Sequence, residues 1–318
     1  MNDNYIAAEG TNVARGMFSS RKAPVATINS GDILRIETLN TGGIFDGFSA
    51  FADEQKLNRD DPFIKKLLYA DSLPKPGGHN HLTTGPVYIR DAEPGDMLEV
   101  QILDVKLISD FSNLWMSPGE GGLPDLVKER KSMYIPFDEK REYATIGSCK
   151  VKLDPFFGIM ATATPNDPLS VWPGNFGGNM DLKETKKGTS VYLPVFVPGA
   201  LFYVGDGHAA QGDGEVALGA LETCMEGEFK FILHKGKTIQ MIRMENEQYY
   251  ISMGVNASLD VACHDAIREA VYWIMELTGD SFEEALAIAS TAVDFRVTQV
   301  VNDIKGVHSM IPKYLFKK

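Results

Sequence analysis

The stretch Val204 to Glu222, VGDGHAAQGDGEVALGALE, gathers Asp206, His208, Gln211, Asp213, Glu215 and Glu222 among glycines and alanines. Small residues let the backbone approach a bound group closely, and the carboxylates and imidazole can ligate a cation or move a proton. His79, His81 and Asp181 also stand in glycine-rich loops beside expected strand ends. Together with Asp206 and His208 they form a mixed imidazole and carboxylate set, which suits zinc with one position left open for water. A divalent ion of that kind lowers the pKa of its water toward about 7 and polarises a carbonyl, so metal-assisted hydrolysis is the natural reaction class. A nearby carboxylate then has to carry the proton to the leaving group, and Glu215 is the candidate. Each residue also has a plainer reading: Asp181 as a turn cap, Asp213 and Glu215 as solvated turn positions, the histidines as loop or turn residues.

Other chemistries lose weight. The chain lacks a GxSxG elbow, an HExxH helix and a GxxxxGK loop. Gly205, Gly207 and Ala210 imitate a dinucleotide fingerprint, but Gly212 and Gly214 follow at once and interrupt the helix such a turn must open. Cys149, Cys224 and Cys263 are scattered, with no CxxC pair and no Glu and Lys context for a nucleophilic thiol; they are expected to be reduced and mostly buried.

Composition sets the outer bounds. The 318 residues are 44% hydrophobic, enough to fill a large core, and carry a net charge of −12. That acidity argues against nucleic acid as a partner. No leader or membrane-length apolar segment stands out, so a soluble, cytoplasmic protein with no membrane partner is expected.

The elements that must position these residues are mostly strands. Ala26 to Leu39 reads as a hairpin around SerGlyAsp, after some twenty N-terminal residues expected to wrap over the surface. Residues 40–80 look like a long excursion with one helical turn near Pro62 to Tyr69. Leu98, Val100 and Ile102 alternate with polar neighbours in a half-buried strand. A second hairpin is expected from Glu228 to His234, returning through Thr238 to Met244, with His234 on its solvated face. Helical spacing appears only near the end: Ser258 to Leu277, then a helix opened by the capping pair Ser281 and Glu284. The expectation is a single compound domain, mainly β, with an N-terminal β lobe over about residues 1–150 and a C-terminal α+β lobe over about 151–318, whose two helices cover one face of a sheet.

Several segments carry a resemblance. GlyProValTyrIle-x-x-AlaGluProGlyAsp (85–96), GlyGlyAsnMetAsp (177–181), the run from Leu193 to Val216 and AspPheArgValThrGlnValValAsn (294–302) resemble the acetamidase/formamidase family, in the family's order. The resemblance implies hydrolysis of formamide, acetamide or similar small amides to carboxylate and ammonia, a β-sandwich body of jelly-roll type, a divalent metal usually described as zinc, and a homo-oligomer. Against the family's HisProLeuThrGlyPro-like element this chain has HisAsnHisLeuThrThrGlyPro, and His81 is favoured over His79 for the histidine position. The resulting assignment has His81, Asp181, Asp206 and His208 on the metal. Glu215, His208 and Glu222 are catalytic, and Asn179 and Gln211 bind substrate. Two alternatives stay open, a hydrolase of cyclic amides or another C–N bond on the same scaffold, and a β-sandwich that binds a ligand without turnover.

Overall fold

A computed structural model describes residues 4–42, 44, 47–75 and 81–316. The protein is mainly β: a nine-stranded and a ten-stranded sheet share one apolar core, and helices pack at the C-terminal end. Alternation explains the core. Leu34 and Ile36, Val100 and Ile102, and Phe229 and Phe231 enter it from the nine-stranded sheet, each pair two residues apart. Val87 and Ile89, and Phe202 and Val204, enter from the ten-stranded sheet in the same way. A fully buried side chain of this size contributes about 1.5–3 kcal/mol relative to exposure. Strands from both sides of residue 150 pair with one another in each sheet, as Ile33–Thr38 with Met225–His234 and Leu82–Ile89 with Phe202–His208.

Four α-helices lie among the described residues: α1 (Phe48–Glu54), α2 (Pro62–Ser72), α3 (Leu259–Thr278) and α4 (Phe282–Ala292). The Asp61 side chain caps α2 by accepting from the amides of Phe63 and Ile64, and Pro62 follows at the first helical position. Gly279, at φ 78°, ends α3 in the left-handed region. Both hydrogen bonds of the Ser281 and Glu284 capping box are made at α4. α3 lies across Tyr249–Asn256 and Lys305–Pro312, so close at Gly254 that a Cβ would strike the α3 backbone at Ala262 and Ala266.

Several sequence expectations are corrected. Neither hairpin forms. Ala26–Ile28 joins the ten-stranded sheet beside Leu82–Ile89, whereas Ile33–Thr38 crosses to the other sheet. Met225–His234 has both edges filled, by Ile33–Thr38 and Met97–Leu107, so Arg243–Glu245 pairs instead with Ser190–Pro194 and Tyr249–Asn256. The N-terminal residues are not a surface wrap: Tyr5–Ile6 and Val13–Arg15 are strands, and Phe18 is fully buried. Residues 40–80 hold two helices, α2 alone running 11 residues. Of the cysteines only Cys224 is buried; Cys149 is exposed and Cys263 intermediate. His234 is tied to Glu99 at 2.7 Å rather than merely solvated.

Candidate metal and hydrolytic centre

The site grows from the end of Phe202–His208. This strand lies between Phe156–Thr162 and Leu82–Ile89, and its last residues also pair with Glu222–Thr223. Register places Phe156, His208, Glu222 and Asn113 in one row across four strands. His208 and Glu222 are therefore direct cross-strand neighbours, close enough for their side chains to meet. Phe156 packs edge-on against the His208 ring, with centroids 4.9 Å apart at 84°.

Around His208 Nε2 stand Asp206 Oδ2 and Glu222 Oε1, each at 3.2 Å, and Asp181 Oδ1 at 4.0 Å. Glu215 completes the group: ligand atoms of His208, Glu215 and Glu222 lie within 4.8 Å of one another, as do those of Asp181, Asp206 and His208. All five residues are buried. Asp181, Asp206 and Glu215 each take a positive φ, 47°, 55° and 45°, where non-glycine residues are rare and a conformational cost is typical of functional sites.

Neighbouring groups aim these side chains. Gln211 donates Nε2–H to the Asp181 carbonyl at 2.7 Å, which turns its Oε1 to His208 Nδ1 at 2.9 Å. His208 Nδ1 must then be the donor, leaving Nε2 to face the carboxylates. Asn40 Nδ2 donates to Asp206 Oδ1 at 3.1 Å and Glu222 Oε2 at 2.6 Å, and the Ala220 amide donates to Glu222 Oε1 at 2.9 Å. Asn302 Nδ2 donates to Asp181 Oδ2 at 2.5 Å. Fully buried Gln299 shapes the turn that presents Asn302, accepting from the amides of Val301 and Asn302. The Thr298 carbonyl and Val300 amide clasp Gly214, next to Glu215.

Four carboxyl groups crowded beside one imidazole cannot all ionise independently. Burial pushes Asp181 up to about 8, helped by the Asp206 charge. Burial, then Asp181, raises Glu215 well above its usual range, and burial raises Glu222. Burial also acts to raise Asp206 and lower His208, but the contact between them wins: His208 holds the Asp206 carboxyl low, and Glu222 and Asp206 push the imidazole well above its ordinary value. Asp181 Oδ1, His208 Nε2 and Glu215 Oε2 are buried and make no hydrogen bond among the described residues. Convergent orphaned atoms in a mixed nitrogen and oxygen set fit a divalent cation, which would replace the shared protons.

The centre opens into a cavity of about 300 Å³, lined by Asp181, Asp206, Glu215 and Glu222 together with His81, Asn179 and Trp115. Asp181, Asp206, His208, Glu215 and Glu222, all picked out from sequence, are thus brought together. His81 and Asn179 share their cavity, while Gln211 stands behind His208. Asp213 points away, paired with Lys183 at 2.9 Å, and His79 lies outside the described residues. His264 is on α3 with its side chain largely in solvent, and His308 is fully buried. Burial pushes the Cys224 thiol up to about 12, far from a nucleophile's range. Sequence reasoning did not single out Asn40, Gly158, Gln299 or Asn302. Asn302 is within reach of sequence, because it closes the run 294–302; Asn40 and Gly158 carry no local signal.

Fold and site together define a β-sandwich protein with a buried acid–histidine centre able to hold a metal ion. The chain belongs to the acetamidase/formamidase family, whose model matches residues 77–175 and 169–318. It is similar to the acetamidase of Mycolicibacterium smegmatis, 27% identical over 205 residues covering 45% of this chain and 50% of that one. Likewise it resembles the formamidase of Methylophilus methylotrophus, 28% identical over 198 residues, 45% and 49% of the two chains. The matched region thus spans about half the length of these curated relatives. Among solved structures, an acetamidase from Bacillus halodurans superposes with a TM-score of 0.82 at 28% identity over 98% of each chain. An acetamidase from Yersinia enterocolitica gives 0.81 at 25%, over 99% of this chain and 93% of that one. A γ-lactamase from Delftia acidovorans, at 19% identity and 0.60 over 98% and 91%, shares the fold. No helix among the described residues is long and apolar enough to cross a membrane.

Proposed function

We propose that the chain is an amidohydrolase that converts short aliphatic amides such as formamide and acetamide to the carboxylate and ammonia. The observation that carries this reading is the convergence of His208 with Asp181, Asp206, Glu215 and Glu222 on one cavity. Asp181, Asp206 and His208 would hold a divalent ion, zinc by their donor chemistry, with His81 as the further candidate in the same cavity. Such an ion, when bound, supplies the Lewis acidity that makes water nucleophilic near neutral pH and polarises a carbonyl.

The protein's own groups do the rest. Asn179 Oδ1, buried and without a hydrogen bond among the described residues, accepts from the substrate NH2 and so orients the amide. Glu215 takes a proton from the attacking water and returns it to the departing nitrogen, so that one C–N bond breaks, one C–O bond forms and ammonia leaves. Gln211 keeps the His208 ring in place from Nδ1, which leaves Nε2 for the ion, and Glu222 stands beside that nitrogen as a further catalytic carboxylate. The same reading includes a homo-oligomeric, cytoplasmic protein with no nucleic-acid or membrane partner.

The test is ammonia release from formamide and acetamide by the pure protein, before and after chelation, alongside Glu215→Gln and His208→Ala. Full activity in both variants would remove these residues from the mechanism even with the substrate class intact. A lactam assayed in parallel distinguishes linear from cyclic amides.

A further inference from the structure

Among the acids and amides that line the substrate cavity stand four apolar residues, Trp115, the largest of them, with Val171, Leu218 and Val301. The indole is held by backbone rather than by chance packing. A Cβ at Gly219 would lie 2.5 Å from Trp115 Cζ3, and one at Gly42 3.2 Å from Cη2. Both glycines belong to the segments that aim Glu222. The Gly42 amide donates to Asn40 Oδ1 at 2.7 Å, and Ala220, next to Gly219, donates to Glu222 Oε1. The ring is therefore fixed relative to the carboxylates, as a specificity surface must be.

Size matters as well. At about 300 Å³ the cavity falls at the lower end of the range of ligand pockets, about 300–1,000 Å³, which take molecules larger than acetamide. Its titratable lining is acidic apart from His81, and among the described residues no Lys or Arg contributes to it. An acyl group bearing its own carboxylate would meet like charge there.

Resting on the amidase reading above, we infer that Trp115 determines acyl-chain specificity and that, among short primary amides, those with uncharged apolar acyl groups longer than acetyl are preferred. Each methylene laid against the indole strengthens binding about three- to fourfold. For the wild-type protein, kcat/KM rises roughly tenfold from acetamide to butyramide, mainly through KM, and succinamate falls at least tenfold below butyramide.

Trp115→Ala flattens the butyramide-to-acetamide ratio to within about twofold, and Trp115→Phe keeps part of it. The ratio is taken within one preparation, so an inactive fraction does not distort it; if the alanine variant does not fold, the phenylalanine variant alone must lower it. Amide turnover with an unchanged ratio in the variants, or with no chain-length dependence in the wild type, overturns the role of Trp115 and leaves the amidase reading standing. Failure of the wild type to cleave any amide overturns the amidase reading and this one with it.

Discussion

Gly158 stands so close to Asp206 that a Cβ on it would lie 2.5 Å from Asp206 Oδ2, and it would also come within 2.7 Å of Asp181 Oδ1. The Gly158 carbonyl meanwhile accepts from the amides of Met180 and Asp181. One residue without a side chain thus lets the carboxylate of Asp206, on the strand Phe202–His208, converge with that of Asp181, just past the strand Gly177–Asn179. Gly158→Ala should push the two carboxylates apart while the core around Phe157 and Ile159 stays packed. The expected result is a fall in bound metal per chain, by elemental analysis, with at least about a hundredfold loss of amide turnover. Unchanged metal content and turnover would mean that the convergence is not required.

Asn40 ties Asp206 to Glu222 through one amide nitrogen, donating to both carboxylates. Asn40→Asp keeps the shape, removes both donors and adds a fifth buried carboxyl group. Hydrogen bonds to charged groups contribute about 1.5–3 kcal/mol each, and an uncompensated buried charge costs more. Urea unfolding of the chelated protein should show a loss of about 3 kcal/mol. A change under about 0.5 kcal/mol would show that the bridge is not holding the acids together.

The acid-rich loop was legible because its chemistry is local: Asp206, His208, Glu215 and Glu222 fall within one short stretch. Helices α3 and α4 were legible for the same reason, since periodicity and caps are properties of neighbouring residues. What escaped depends on pairing between distant segments. Nothing near Thr238 to Met244 says that the strand before it already has two partners, so the expected hairpin was a local inference overruled by a non-local ladder. Asn40 and Gly158 belong to the site only because separate segments of the chain carry them to Asp206; their own neighbourhoods are ordinary. Trp115 carries no local signal of its place in the site, because the glycines against its ring, Gly42 and Gly219, are far from it in sequence.

Metal removal should destabilise as well as inactivate. The Asp181, His208 and Glu215 atoms left without hydrogen bonds among the described residues converge, so a cation held there would bind the folded chain and not the unfolded one. At a hundredfold excess over its Kd, such a ligand stabilises by about 2.7 kcal/mol. Melting of the chelated protein should therefore come about 4 °C lower and recover on adding zinc, with no such recovery in His208→Ala. Identical melting curves with and without chelator would count against a resident ion.

His308 offers a pH test away from the metal centre. Its Nδ1 lies 2.8 Å from Thr298 Oγ1, Glu184 is 3.7 Å from Nε2, and Arg296, Lys183 and Asp213 act on it electrostatically. Burial, the largest cause, lowers its pKa from 6.5 to about 4. The folded state thus refuses a proton that the unfolded chain accepts below pH 6.5, and stability falls as pH drops from 6.5 toward 4, by about 1.4 kcal/mol per pH unit at most. Glu184, raised by burial, works the other way: between 4.5 and its raised value the folded state keeps a proton that the unfolded chain has lost. His308→Gln separates the two, since glutamine can still bond Thr298 but does not titrate. The stability of the wild type relative to His308→Gln should decline across that window in urea titrations at stepped pH. A constant difference would mean that His308 takes up its proton equally in both states.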